Sequence, residues 1–175
     1  MSEPVIPANA VSVPETDAAP SLVGEPRFTW NFDHRLDPQK RVQFPAVWRP
    51  SEPATRFVLI LWPHRHLKGE TEFAFIKGLT PRRFSRLMDQ VATLGLGDTK
   101  AAALSRKLFH NSIELDLDPA GRLCLPPKMA SQIGLDKVVH FAGAGKHFEL
   151  WEPETYVRCA RADDEIAADA YETLI

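Results

Sequence analysis

"LDLDPAGRLCLP" (Leu115–Pro126) repeats a pattern that the chain has already used 81 positions earlier, in "HRLDPQKRVQFP" (His34–Pro45). Both stretches contain Leu-Asp-Pro, two further residues, an arginine, an alternation of apolar and other residues, and a proline. The apolar positions stay in phase beyond these stretches, over 28 aligned positions without a gap. A motif that recurs at a fixed offset with matched hydrophobic phase indicates an internal duplication.

Each copy predicts a turn, a short strand, a short helix and a buried strand. Asp-Pro is typical of a turn, because proline fixes φ and the aspartate accepts hydrogen bonds from the backbone beyond it. The alternation that follows predicts a strand, and Pro45 or Pro126 ends that strand and suits the start of a helix. In the second copy, Gly134 is the predicted stop of that helix. The buried strands are predicted over residues 57–61 and 138–142.

Two longer helices are predicted between the copies. "TPRRFSRLMDQVATLG" has Thr80 as its N-cap and an apolar face. Its other face carries Arg82, Arg83 and Arg86, and we expect that face to be solvated, the alternative being that it extends a DNA-binding patch. "DTKAAALSRKLFHNS" predicts the second helix of a hairpin, and the run from Pro153 predicts a C-terminal helix. The predicted class is therefore α+β, with two similar β-rich halves and a helical hairpin between them.

Composition favours a soluble globular protein. The chain is 44% hydrophobic and 25% charged, and its longest apolar run, residues 57–62, is too short to span a bilayer. No basic and apolar leader opens the sequence, so we expect a cytoplasmic protein without a membrane partner. Cys124 and Cys159 fit neither a disulfide framework nor a metal-ligand spacing, and we expect both to be reduced, with Cys124 as a small core residue.

Charge is unevenly distributed along the chain. Residues 1–26 contain four acidic residues, five prolines and no basic residue, which predicts a disordered Pro-rich tail. The end of the chain, from Glu149, is also acidic, so the basic side chains concentrate in the middle. An overall pI near 6.3 argues against indiscriminate coating of DNA, whereas a local basic patch remains compatible with it.

The two copies differ in charge over matched windows. Residues 33–49 carry a net charge of +2, and residues 114–130 carry −1. A duplicated element that keeps its apolar positions and diverges in charge fits one copy that meets a polyanion and one that serves as scaffold. The alternative is that both are ordinary solvated turns. If the first copy binds DNA, Arg41 either reads a guanine edge or holds a phosphate, and the sequence leaves both open.

Two stretches of the sequence resemble a known family. "LDLDPAGRLCLPPKMASQIGLDKVVHFAGAGKHFELWEPETY" (residues 115–156) resembles the second half of the MraZ family, with its Asp-x-x-Gly-Arg turn, Gly-Leu step, valine-rich strand and Glu-Leu-Trp ending. "FDHRLDPQKRVQFPAVWRP" (residues 32–50) is similar to the first copy of that family. The resemblance spans roughly residues 28–157 and is poor over residues 50–80.

The resemblance implies a fold, a partner and a set of site residues. The fold would be two AbrB/MraZ-type double-split, swapped-hairpin-like β-barrel halves, at residues 27–97 and 98–175, in a ring-shaped homo-oligomer. The function would be that of a sequence-specific, nucleoid-associated regulator that binds double-stranded DNA at tandem promoter repeats upstream of division and cell-wall genes. The DNA-binding element would be the turn of the first copy. Its expected DNA-binding residues are Arg35, Lys40, Arg41 and Arg49.

The first turn departs from the family pattern Asp-x-Lys-Gly-Arg at two positions, where this chain has Gln39 and Lys40. The first copy has Lys40 where the pattern, and the second copy at Gly121, have glycine. Glycine accepts a positive φ readily, whereas lysine pays on the order of 1 kcal/mol there unless the turn changes type. The departure keeps an alternative open, in which the chain is a divergent oligomeric interaction module that does not bind DNA.

The remaining motifs predict little further chemistry. His64 and His66 have a spacing that could suit a metal on a strand, but a surface loop is the preferred interpretation without a third ligand nearby. Arg122 is expected to be a structural partner of a carboxylate such as Asp118. The sequence has no glycine-rich phosphate loop and no nucleophile motif, so we expect neither an enzyme nor a cofactor.

Overall fold

The computed structural model describes residues 24–50, 55–95 and 97–174. The predicted disordered tail, residues 1–26, lies outside these ranges except for its last three residues. Eight strands are described: β1 Asn31–Arg35, β2 Arg41–Gln43, β3 Arg56–Trp62, β4 Phe75–Leu79, β5 Ser112–Asp116, β6 Arg122–Cys124, β7 Val138–Gly143 and β8 Phe148–Trp151. The α-helices are α1 Pro81–Thr93, α2 Asp98–His110, α3 Pro127–Gln132 and α4 Pro153–Tyr171, with 3-10 turns at Ala46–Trp48, Arg65–Leu67 and Glu172–Leu174.

The strands form one large antiparallel sheet and one small ribbon. The sheet has six strands in the order β1-β7-β8-β4-β3-β5, and β2 pairs with β6 in the ribbon. The 81-residue offset carries β1 onto β5 and β2 onto β6 residue for residue. The remaining counterparts are β3 with β7 and β4 with β8. Exchanging every strand for its counterpart gives the same strand order, counted from the opposite edge of the sheet. The structure is therefore α+β, as predicted, and approximately two-fold symmetric.

Each copy completes the sheet of the other. β1 of the first copy pairs with β7 of the second, while β5 of the second pairs with β3 of the first. β4 and β8, the last strands of the two copies, also pair with each other at the centre of the sheet. The copies are therefore interleaved, and neither forms a complete sheet from its own strands.

The main core lies between the sheet and the ribbon. Val42 and Leu123, the central residues of β2 and β6, are both buried, which confirms the apolar face predicted for these strands. Phe44, Phe57 and Phe148 pack as a cluster of edge-to-face and tilted rings, with centroids 4.9–5.2 Å apart. Each fully buried aromatic side chain stabilises the fold by roughly 1.5–3 kcal/mol through removal of apolar surface from water. The ribbon and α3 therefore close the core on the side of the sheet opposite α1, α2 and α4.

Helices cover the other face of the sheet. α1 and α2 pack on the part of the sheet around β3, and α4 packs around Trp151. This double coverage explains why residues 57–61 form an uninterrupted apolar run, since side chains on both faces of β3 are buried. Thr80 caps α1 as predicted, because its Oγ1 accepts a hydrogen bond of 3.3 Å from the Arg83 amide. No helix in the described part of the chain is long and apolar enough to cross a membrane.

The expectation that the polar face of α1 is solvated is wrong for one residue. Arg83 is only 9% exposed. Its Nε lies 3.3 Å from the Glu25 carboxylate, and its Nη1 donates a hydrogen bond of 2.6 Å to the Lys146 carbonyl. The helix periodicity placed Arg83 correctly on the polar face, but the chain before β1 and the β7–β8 hairpin cover that part of the face.

Candidate nucleic-acid interface

The turn of the first copy is organised by one carboxylate. Oδ1 of Asp37 accepts hydrogen bonds of 2.9 Å from the amides of Gln39 and Arg41, and Oδ2 accepts one of 2.7 Å from Nε of Arg41. The Lys40 amide donates to the Asp37 carbonyl at 2.9 Å, which closes the turn. The Asp-Pro motif thus fixes both the backbone and the direction of the arginine.

The turn of the second copy has the same network. Asp118 Oδ1 accepts from the amides of Ala120 and Arg122, at 3.0 and 2.9 Å, and Oδ2 accepts from Arg122 Nε at 2.8 Å. The Gly121 amide donates to the Asp118 carbonyl at 2.8 Å. The predicted contact between Arg122 and Asp118 is confirmed. Because Arg41 makes the equivalent contact, that contact does not distinguish the scaffold copy from the proposed DNA-binding copy.

The same hydrogen bonds lower the pKa of both aspartates. For Asp37 the main cause is the Arg41 amide, and the arginine side chain adds to it. For Asp118 the Arg122 amide and side chain act in the same way. Both carboxylates are therefore charged at neutral pH. Among the described residues, only Nε of each arginine is engaged, which leaves the two terminal nitrogens of each guanidinium to face solvent or a ligand.

The ribbon joins the two turns directly. The Phe44 amide donates to the Gly121 carbonyl at 3.1 Å, and the Leu125 amide donates to the Lys40 carbonyl at 2.8 Å. Each turn thus accepts a backbone hydrogen bond from the residue that follows the other copy's strand. The apolar side chains of the ribbon point into the core, so its outer face presents Arg41, Gln43, Arg122 and Cys124. The expectation that Cys124 is a core residue is therefore wrong, because it alternates with the buried Leu123 and is exposed.

Lys40 keeps the turn geometry that glycine adopts in the second copy. Its φ is +59°, and φ of Gly121 is +74°. Of the two possibilities left by the sequence, the structure therefore has the strained lysine in an unchanged turn. A non-glycine residue in this region costs roughly 1–2 kcal/mol. The side chain is partly exposed, and the position places a positive charge beside Arg41.

Arg49 is partly committed to holding the two copies together. Its Nε and Nη2 donate to the Phe44 carbonyl at 3.3 and 3.0 Å. Its guanidinium also covers Gly121 so closely that a Cβ at that glycine would lie 2.6 Å from Cζ of Arg49. The residue at the equivalent position of the second copy is Ala130, so this cross-copy contact exists only once.

Arg35 lies at the exposed end of β1, on the edge of the six-stranded sheet. Its counterpart is Asp116, which forms hydrogen bonds of 2.9 and 3.0 Å with Arg56. Arg35 has no ion pair within the described ranges. The charge difference between the copies therefore arises from four pairs of equivalent positions. Three make the first copy more positive: Arg35 and Asp116, Lys40 and Gly121, and Arg49 and Ala130. The fourth, Val47 and Lys128, offsets one of these charges.

The histidines that sequence reasoning considered for a metal lie around a carboxylate. His64 Nε2 is 3.2 Å from Asp163 of α4, Arg65 Nη2 is 3.3 Å from it, and His66 Nε2 is 3.6 Å from it. These residues belong to the connection of residues 63–74, which joins β3 to β4. The corresponding connection between β7 and β8 is much shorter, and the contacts with Asp163 hold the longer connection against α4.

Comparisons with known proteins agree with the resemblance in the turns. A family model described as "MraZ protein, putative antitoxin-like" matches residues 108–174, from the end of α2 through α4. The chain is 28% identical over 154 residues to "Transcriptional regulator MraZ" of Ruegeria sp. (strain TM1040), covering 82% of this chain and 87% of that protein. It is 29% identical over 147 residues to the protein of the same name from Dehalococcoides mccartyi (strain ATCC BAA-2266 / KCTC 15142 / 195), covering 84% and 97%.

The chain is similar to the MraZ family over most of its length. A third relative, "Transcriptional regulator MraZ" of Leuconostoc mesenteroides, is 26% identical over 129 residues, covering 74% of this chain and 83% of that protein. The family model matches the second copy, whose turn keeps the glycine and arginine of the family pattern, while the relatives extend over most of the chain. The expectation that the chain is not an enzyme agrees with these MraZ relatives, which are named as transcriptional regulators.

Proposed function

We propose that this MraZ relative is a DNA-binding transcriptional regulator that recognises tandem promoter repeats upstream of division and cell-wall genes. The observation that carries the proposal is the pair of equivalent turns with unequal charge. The two turns share one backbone network, but the first is flanked by Arg35, Lys40 and Arg49 where the second has acidic or uncharged residues. Selection for the fold alone would not require a strained lysine in only one of the two turns.

The outer face of the ribbon is suited to a groove of the duplex. A two-stranded β-ribbon fits the major groove of B-DNA, where arginine reads guanine through its two terminal nitrogens. Asp37 holds Nε of Arg41 and leaves those two nitrogens available, so the guanidinium is oriented before DNA arrives. Lys40, Arg35 and Arg49 then supply phosphate contacts, which position the protein without specifying sequence.

A few cations in one subunit make a weak DNA site. Non-specific binding typically has a dissociation constant of about 10⁻⁴–10⁻⁶ M at physiological salt. A homo-oligomeric ring that meets several repeats at once would gain affinity through effective concentration. We propose such an oligomer, acting in the cytoplasm on nucleoid DNA. The interleaved strands and crossing ribbon support the finer interpretation of the fold as two double-split, swapped-hairpin-like barrel halves.

Binding to the DNA upstream of the chain's own gene tests this function, with Arg41→Ala as the variant and Arg122→Ala as its matched control. The two substitutions remove equivalent guanidinium–carboxylate contacts, so we expect similar losses of stability. For Arg41→Ala we expect an affinity loss of about tenfold or more, since one bidentate base contact contributes about 1–3 kcal/mol. For Arg122→Ala we expect a clearly smaller loss. Equal DNA affinities of the two variants would reject the assignment to the first turn.

A second candidate is an oligomeric interaction module without DNA binding. It is favoured by the engagement of Arg49 with Phe44 and Gly121, which gives one of the four predicted DNA-binding residues a structural role. The same binding experiment separates the candidates, because an interaction module would not retard the upstream DNA at any salt concentration.

A further inference from the structure

A cavity of about 460 Å³ lies on the helical side of the sheet. Its walls come from α1, β4, the β7–β8 hairpin and residues 25–29, which precede β1. None of the four residues assigned to DNA contact lines it. The cavity is therefore a separate feature from the turns and the ribbon, and the proposed DNA-binding function does not account for it.

The cavity gathers cations that lack carboxylate partners. Four basic residues of the lining have no carboxylate oxygen within ion-pair distance in the ranges that the structure describes. The one carboxylate in the lining, Glu25, is already engaged by the Thr80 hydroxyl at 2.8 Å and by Arg83 at 3.3 Å. These four basic residues lie in four different segments: Arg27 before β1, Lys77 in β4, Arg86 in α1 and Lys146 between β7 and β8.

Lys77 is partly buried on β4, and its Nζ lies 3.8 Å from the centroid of the Trp62 ring. Burial lowers its pKa, an effect that the charge of Glu149 partly opposes. Glu149, the cross-strand neighbour of Lys77, is bonded instead to His147 at 3.0 Å and to Trp151 at 2.9 Å. A desolvated ammonium without an ion-pair partner is costly, and a bound anion would offset that cost.

The cavity also has an apolar portion. Leu79 is buried and Leu87 is partly buried, and both line the cavity beside the cations. Pockets for small molecules typically have volumes of about 300–1,000 Å³ and combine apolar walls with a few placed polar groups. The volume and the lining therefore suit a ligand with an organic part as well as a charged part.

We propose that this cavity binds a small phosphorylated molecule of about nucleotide size. Arg27 and Arg86 supply guanidinium groups, which bind phosphate oxygens in a bidentate manner. Lys77 and Lys146 add ammonium groups, and the leucines contact the organic part. A DNA duplex does not enter a cavity of this volume. An acidic segment from a second copy is the competing occupant, and the experiment distinguishes it.

Titration calorimetry on the full chain tests the proposal, with inorganic pyrophosphate and a nucleoside diphosphate as probes. We expect both to bind the wild type, with the nucleoside diphosphate tighter because of its organic part. Arg86→Gln and Lys146→Gln should each weaken binding about tenfold or more, since hydrogen bonds to charged groups contribute about 1.5–3 kcal/mol. The matched control is Arg82→Gln, because Arg82 is exposed on the same helix and does not line the cavity.

Three outcomes would overturn the proposal. The wild type could fail to bind either probe, or Arg82→Gln could weaken binding as much as Arg86→Gln, which would indicate diffuse attraction rather than a site. Alternatively, pyrophosphate could dissociate an oligomer that Arg86→Gln also fails to form, which would assign the cavity to an acidic segment of another copy. Circular dichroism of each variant establishes that it is folded, and Lys146→Gln lies on an exposed hairpin where loss of folding is not expected.

Discussion

Lys40 and Gly121 occupy equivalent positions in two turns that share one hydrogen-bonding network, and each accepts a backbone hydrogen bond from the opposite copy. The lysine adopts φ of +59° there, in a region that glycine enters at little cost. Strain that persists in one copy but not in the other marks a position where something besides stability has been selected. Under the proposed function, that property is a positive charge next to Arg41.

Lys40→Gly should therefore separate stability from DNA binding. We expect the free energy of unfolding to rise by up to about 1 kcal/mol, because relief of the positive-φ strain outweighs the greater freedom of glycine in the unfolded chain. DNA affinity should fall, with a shallower dependence on salt, because one phosphate contact is lost. Denaturant unfolding and salt-dependent binding curves measure the two effects. Unchanged affinity alongside a stability gain would leave the lysine without a role in binding.

Gly121→Ala should have the opposite effect on stability. The new Cβ would lie 2.6 Å from Cζ of Arg49, and the alanine would have to adopt the φ of +74° that Gly121 has. Because the flexible Arg49 side chain can move aside, we expect a loss dominated by backbone strain, about 1–2 kcal/mol. Displacement of Arg49 should also release its hydrogen bonds to Phe44. Thermal unfolding of Gly121→Ala with and without Arg49→Ala measures the coupling, and fully additive losses would argue against contact between the two residues.

Gly78→Ala tests the centre of the sheet, where the last strands of the two copies meet. A Cβ at this position would lie 2.1 Å from the ring of Phe148, which is fully buried. The ring packs against Phe28, Phe44 and Phe57, so we expect a destabilisation of about 1–3 kcal/mol, as for other overpacked cores. Denaturant unfolding measures it. Gly95→Ala is the matched control for size, since Gly95 has no positive φ and no atom outside its chain neighbours lies near the added Cβ.

His34 should make stability depend on pH. Burial lowers the pKa of His34, an effect that Asp33 partly opposes and Arg49 reinforces. Its Nε2 is buried without a hydrogen-bond partner among the described residues. Because the folded pKa lies below the unfolded value of 6.5, the unfolded chain takes up the proton first as pH falls. The free energy of unfolding is therefore highest above the unfolded pKa of 6.5 and falls as pH drops through that value. It stops falling below the folded pKa, where both states carry the proton.

His34→Leu is the natural comparison, because the second copy has Leu115 at the equivalent position. We expect its free energy of unfolding to vary less than that of the wild type between about pH 5 and pH 8, the range in which histidine titrates. Denaturant unfolding at several pH values measures the difference. Parallel curves for the two proteins would show that the pH dependence comes from other groups.

Much of the local structure was predictable from the residues. The turns, the phase of β2 and β6, the N-cap at Thr80 and the buried strands follow from Asp-Pro chemistry, a period of two and capping preferences. Each of these depends on neighbours within a few positions, so one sequence suffices. The residues of the candidate DNA site could also be proposed from the charge difference between aligned windows, although their role in binding stays a prediction.

The pairing of strands between copies could not be read from the same patterns. β1 carries no local signal that selects β7, more than 100 residues away, over β3 of its own copy. The burial of Arg83 was missed for a related reason, since helix periodicity assigns a face but not what covers it. Likewise, Arg27, Lys77, Arg86 and Lys146 lie on separate elements, and no spacing in the sequence links them.

The sequence by itself determined the duplication, the α+β class and the two Asp-Arg turns, because repeated motifs and hydrophobic phase act through short-range geometry. Only the tertiary structure decided that the copies interleave, that Arg41 and Arg122 make the same contact, and that four cations share one cavity. Those features depend on which distant apolar surfaces are buried against each other. The hydrophobic effect that drives this burial is non-directional, so the burial follows from the packing of the whole core and not from any one stretch of sequence.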